Sequence, residues 1–190
     1  MTACYINGKY KTLSQSSISV TDRGFQFSDG VYEVIAIYNN KFVDEILHLN
    51  RLRTSLIKLN IKINLSIKQI QNISLKIKKL NKISNGIIYL QVTRGDQHPR
   101  DHKYKKIIKP NIVIYSIKKD FKKLDQLALK GVKTSLYPDI RWLRSYIKSI
   151  SLLGNVMAAN HAKKNNSHEA ILFDHKNNIT EGNSSSIWII

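Results

Sequence analysis

Two apolar stripes at helical spacing, set between β-rich runs, limit the folds open to this chain. Ile46, Leu49, Leu52, Leu56 and Leu59 recur at that spacing after Asp44, a residue able to cap a helix start. Ile67, Ile70, Ile73, Ile77 and Leu80 do so again after Ser66. The predicted helices, 44–59 and 66–79, each bury one face and together form a small helical layer. Around them stand β-rich runs at 31–38, 87–93 and 111–117. Asn7-Gly8 predicts a type I′ hairpin turn, Asn39-Asn40 a turn into Lys41-Phe42-Val43, and Asn85-Gly86 a further turn. Residues 21–30 are polar and glycine-rich and read as a loop. Strands and helices in this order imply an α+β chain.

Downstream, residues 94–102 form a polar loop loaded with arginine and histidine. Such donors converge readily on a carboxylate, although an ordinary exposed loop has the same composition. Residues 118–123 look like a charged linker and mark a domain boundary, and a strand opens at 131–136. The stretch 139–149 is then followed by a helix-patterned run, 150–159, with Ser149 and Ser151 available as caps. Lys148 lies at this expected strand-to-helix turn, beside apolar residues, Arg141 and Arg144. Desolvation and like charge both disfavour an ammonium there, and a neutral amine is what attack on a carbonyl requires. A strand at 169–174, a hairpin turn at 176–178 and a serine-rich segment holding Glu181 follow. That segment reads either as a solvated loop or as a buried carboxylate facing a cation. Residues 187–190 have a strand pattern.

Composition removes several function classes. One cysteine, Cys4, excludes an internal disulfide and offers no metal framework. The N-terminus has no apolar h-region, and no apolar run is long enough for a membrane span, so a cytoplasmic location is expected. A net charge of +18 invites a nucleic-acid reading. The excess is lysine spread along the chain, with few arginines and little aromatic interleaving, which argues against that partner.

Four segments in order carry a family resemblance: Asp22-Arg23-Gly24-Phe25-Gln26-Phe27-Ser28-Asp29-Gly30-Val31-Tyr32-Glu33, then 94–102, 139–155 and Thr180-Glu181-Gly182. Together they resemble the fold-type IV (class IV) aminotransferases that use pyridoxal 5′-phosphate, and among them the branch acting on D-amino acids. The resemblance implies a small N-terminal α/β domain over 1–120. It also implies the start of a larger β-rich cofactor-binding domain over 121–190, short of the family's C-terminal part. Lys148 matches the lysine that bonds to the cofactor aldehyde and moves the substrate Cα proton. Glu181 matches the carboxylate at the pyridine nitrogen, Arg51 a phosphate contact, and Ser184 and Ser185 a serine run near the cofactor. Tyr32, Arg100 and His102 match a trap for the substrate carboxylate, with the arginine and histidine supplied by a partner subunit, so a homodimer is implied. The implied reaction passes an amino group from a D-amino acid such as D-alanine to a 2-oxoacid such as 2-oxoglutarate, giving pyruvate and D-glutamate. A branched-chain L-amino-acid aminotransferase and an aminodeoxychorismate lyase share the fold, but the segment 99–102 argues against both. A non-catalytic fragment binding polyanions is the reading from another class. Asn183 stands where the family pattern has serine, and Asp96-Gln97 lengthens the loop before Pro99, which would shift Arg100 and His102.

Overall fold

The computed structural model describes residues 2–189. The chain divides into two compact units: residues up to 121 together with 146–150, and residues 122–145 together with those from 151 onward. The sequence suggested a single cut at 120/121. The difference lies in the short segment 146–150, which carries Lys148 and packs in the first unit.

In the first unit, β1 (Ala3–Ile6) and β2 (Lys9–Thr12) pair as the expected hairpin. Asn7 and Gly8 both take positive φ, as a type I′ turn requires. Residues 21–30, expected as a loop, contain a five-residue helix, α1 (Arg23–Phe27). Asp22 explains it: its carboxylate accepts from the Phe25 amide at 3.0 Å and caps the turn. Gly24 allows α1 to lie close to Thr93, whose side chain a Cβ at that position would strike. β3 (Gly30–Tyr38) follows, and β4 (Lys41–Phe42) folds back on it through Asn39 and Asn40, both at positive φ.

The two predicted helices are α2 (Glu45–Lys58) and α3 (Ile67–Leu80). Asp44 does not cap α2. It adopts φ 49° and its side chain makes no capping hydrogen bond, so it serves to turn the chain out of β4. Ser66 does cap α3, in a reciprocal box with Gln69. Leu49, Leu52, Leu56, Ile70, Ile73 and Ile77 are buried, whereas Ile46 and Leu80, at outer turns, are exposed. β5 (Gly86–Thr93) and β6 (Asn111–Lys118) complete a six-stranded antiparallel sheet in the order β2-β1-β6-β5-β3-β4. Its inward residues, including Val31, Ile35, Ile37, Ile88, Leu90 and Ile114, share one core with α2 and α3.

The expected linker at 118–123 is instead the end of β6 and the start of α4 (Phe121–Lys130), leaving Lys119 and Asp120 between them. In the second unit β7 (Thr134–Pro138) pairs in parallel with β8 (Glu169–Phe173), and β9 (Ile179–Gly182) pairs antiparallel with β8. α5 (Leu153–Lys164) connects the parallel strands and buries Ala158 and Ala162 against Ala170, Leu172 and Tyr137. The sequence offered Ser149 and Ser151 as caps for this helix. The helix opens at Leu153, and its cap position is Leu152, whose own side chain makes no capping bond. Ile187, Trp188 and Ile189 form no strand, and Ile190 lies outside the described residues. Among the described residues no helix is long and apolar enough to cross a membrane.

Candidate active site

Lys148 is held by its backbone before its side chain matters. Its carbonyl accepts from the Tyr32 amide at 3.0 Å, and the Ile150 amide donates to the Gly30 carbonyl at 3.1 Å. Ser149 bridges to Val31, and the Lys148 amide donates to Ser55 Oγ at 3.2 Å. Ile147, 3% exposed, anchors the segment in the core. The segment thus extends the edge of β3 locally, and the amine follows from that placement. Lys148 Nζ donates to Tyr32 Oη at 3.3 Å and stands 4.4 Å from the centre of the same ring. Among the described residues of this unit no carboxylate ion-pairs with it. Tyr32 stacks on Tyr89 at 5.9 Å, and Tyr89 meets Tyr115 at 5.2 Å. Burial, and then the neighbouring phenols, push the Tyr89 hydroxyl up to about 12.

Arg51 leaves α2 toward β3. Its Nε and Nη2 reach the two oxygens of Glu33 at 2.5 and 2.8 Å, and His48 Nδ1 lies 2.9 Å from the same carboxylate. Glu33 has no exposed surface, while the Arg51 side chain is 49% exposed. Glu33 and His48 were not singled out in the sequence, yet a signal for Glu33 exists there. Val31, Glu33, Ile35 and Ile37 share one parity of β3 and are all fully buried, so an acid in that register has to find a cation.

The 94–102 loop divides its charged residues. Arg94 turns inward, joins both oxygens of Asp29 at 2.7 and 3.0 Å, and lies 3.8 Å over the Tyr104 ring. Arg23, also buried, shares Asp29 at 2.9 Å and donates to the carbonyls of Asp101 and His102 at 2.6 and 2.8 Å. Gln97 closes the loop through the Lys103 carbonyl and the Lys105 amide, each at 2.9 Å. Arg100 and His102 remain exposed and meet on Phe27, at 4.3 and 5.1 Å from its ring centre. No hydrogen bond or ring contact among the described residues joins Tyr32 to either of them; its partner is Lys148.

In the second unit Glu181 sits on β9, half-exposed, and ion-pairs with Arg141 Nη1. Neither reading of its segment stands whole: a cation faces the carboxylate, but on a strand and without the expected burial. Arg141 also grips Asp139 through Nε and Nη2 at 2.9 and 2.8 Å. Hydrogen bonds from the Arg141 side chain hold the Asp139 carboxyl at about 2, well below the usual range. Ser184 and Ser185 both donate to Glu169, at 3.0 and 2.6 Å, and the Ser184 amide adds a third bond at 2.8 Å. Burial pulls the Glu169 carboxyl up, but these donors outweigh it and leave it lowered. Asn183, where serine was expected, is buried and accepts from the Ala170 amide at 2.8 Å.

Residues 30–190 match the model of the amino-transferase class IV family. The chain belongs to that family, as the four segments suggested. Among its relatives, the D-alanine aminotransferase of Staphylococcus aureus (strain MSSA476) is 38% identical over 192 residues, covering 100% of this chain and 66% of that protein. The fold is also that of the Escherichia coli branched-chain amino acid aminotransferase (TM-score 0.83, 16% identity, 95% of this chain and 62% of that one). It is likewise that of a hypothetical aminotransferase from Mycobacterium tuberculosis, solved in its PLP-bound form (TM-score 0.76, 14% identity, 95% and 65%). The chain spans about two thirds of the length of these proteins.

Proposed function

We propose that this chain works as a D-amino-acid aminotransferase, exchanging the amino group of a D-amino acid such as D-alanine with a 2-oxoacid such as 2-oxoglutarate. Its cofactor is pyridoxal 5′-phosphate, its working form is a homodimer, and its compartment is the cytoplasm. The 1–120 and 121–190 parts are its small and cofactor-binding domains. The observation that carries this reading is Lys148: an amine fixed at its backbone to β3, steered by a phenol, with no carboxylate of its unit neutralising it.

An amine, a guanidinium and a carboxylate are the donor chemistry such a cofactor takes, which supports this reading. When bound, pyridoxal phosphate supplies an aldehyde that captures an amino group and a ring that takes up charge from the substrate Cα. Lys148 Nζ takes the proton from Cα and returns it on the other side of the exchange. The Tyr32 hydroxyl, 3.3 Å away, holds that amine in direction. Arg51 would hold the phosphate, with Glu33 fixing the plane of its guanidinium. Glu181 would hold the proton of the ring nitrogen, and Arg141 keeps its carboxylate in place. Ser184 and Ser185 are assigned to the polar surround of the cofactor. Tyr32, Arg100 and His102 bind the substrate carboxylate, and Arg100 and His102 decide handedness by fixing where it lies relative to the lysine. The 38% identity to a D-alanine aminotransferase supports the D-specific reading, whereas the likeness to solved aminotransferases at 14–16% is of fold alone.

The test adds pyridoxal phosphate to the purified chain and records visible absorbance. A band is expected in the native chain and not in Lys148→Ala. A coupled pyruvate assay is expected to show turnover of D-alanine and none of L-isoleucine. Equal absorbance in both chains would reject Lys148, and preference for L-isoleucine would reject the D-specific reading.

A further inference from the structure

Arg100 and His102 are both exposed, and an exposed arginine loses roughly 2 kcal/mol of side-chain freedom when fixed. Something must hold the pair if it is to meet one carboxylate. The structure provides two supports on the same short helix, four residues apart and hence on one face of α1. The first is Arg23. It is 3% exposed, locked to Asp29, and its two terminal nitrogens carry the carbonyls of Asp101 and His102. These bonds fix the backbone from which the pair projects. The second is Phe27. Its ring receives the Arg100 guanidinium at 4.3 Å and the His102 imidazole at 5.1 Å, the latter tilted by 46°.

We propose that Phe27 is a positioning residue, whose ring sets the directions of the Arg100 guanidinium and the His102 imidazole so that both meet a single carboxylate. This rests on the reading of that pair as the substrate-carboxylate site. A guanidinium over an aromatic face is attracted by the ring quadrupole, so the ring narrows the orientations of Arg100 without using the edge that binds an anion. An edge-on or tilted imidazole on the same ring is ordered in the same way. Arg23 sets where the loop backbone lies, and Phe27 sets where its two side chains point.

The experiment titrates the full chain with 2-oxoglutarate by calorimetry, in the native form and in Phe27→Leu, Phe27→Tyr and Arg100→Ala. Phe27→Leu keeps apolar volume and removes the ring, and is expected to weaken binding about five-fold. Phe27→Tyr keeps the ring and is expected to stay within about two-fold of native. In parallel, the His102 ring protons report ring-current displacement by NMR in the native chain and in Phe27→Tyr, which is independent of how stable Phe27→Leu proves to be. Loss of affinity in Arg100→Ala with native affinity in Phe27→Leu would overturn the role of Phe27 alone. Equal weakening in both Phe27 variants, or undisplaced His102 protons, would overturn it too. No effect in Arg100→Ala would remove the carboxylate reading of the loop and the proposal with it.

Discussion

Glu33 has no exposed surface, and a carboxylate in that position is costly by several kcal/mol unless a cation answers it. Arg51 and His48 supply that answer from one helix. The same logic runs in the second unit, where Asp139 and Glu181 share Arg141. The Asp139 carboxyl is held at about 2 by the Arg141 guanidinium, against an ordinary 3.8. A lowered acid stabilises the fold fully above its ordinary value, and loses that contribution as pH falls from 3.8 toward 2. Acid titration followed by Trp142 and Trp188 fluorescence should show a loss of structure in that window. Asp139→Asn should remove the dependence there while lowering stability at neutral pH; an unchanged acid transition would show that the pair does not couple to folding. Lys148, Arg100, His102 and Glu181, whose roles stand as proposals, were marked out in the sequence by the resemblance of their segments to the family. Their partners were not, since Glu33 meets Arg51 from another element, and Arg141 meets Glu181 40 residues away.

Among the elements, the segment 146–150 decides where the Lys148 amine goes. The sequence places Lys148 at a strand-to-helix turn, and it does lie between β7 and α5, but the helix opens at Leu153 and not at 150, for a physical reason. Apolar side chains fill seven of the ten positions 150–159, so periodicity does not fix the first helical residue. Backbone bonds to Gly30 and Tyr32 instead hold Lys148 and Ile150 outside any helix, and these join positions more than a hundred residues apart. Most strands and the helices α2 and α3 were legible because their patterns are local and strong. α1 was missed because five residues carry no period, and only the Asp22 cap signals it. Ile147, 3% exposed, is the apolar anchor of the segment. Ile147→Ala should cost about 3 kcal/mol by cavity formation, measured by urea unfolding. It should also release the Lys148 backbone, read as faster amide exchange at Tyr32, whose amide donates to it. Native exchange at Tyr32 in a destabilised variant would show that the segment is held by its hydrogen bonds and not by its apolar anchor.

Across the whole molecule the unusual quantity is the net charge of +18 in 190 residues. It is the excess left when all 13 acidic residues are set against the 31 lysines and arginines, so ion pairing within the chain cannot lower it. Most of the remainder is lysine on solvated faces such as 76–79, where like charges repel through water. Such repulsion opposes the compact state and is screened beyond about 8 Å at physiological salt. Raising sodium chloride from low millimolar to physiological strength should therefore raise the thermal midpoint, by roughly 3 °C for each kcal/mol of repulsion relieved. Two effects compete in that measurement, because salt also weakens the exposed ion pairs. The pairs at Asp29 and Asp139 are largely buried and screen poorly, so the long-range repulsion dominates the response. Differential scanning fluorimetry across a salt series checks this. A midpoint that falls with salt would mean that the paired charges, and not the unpaired lysines, govern the electrostatics of the fold.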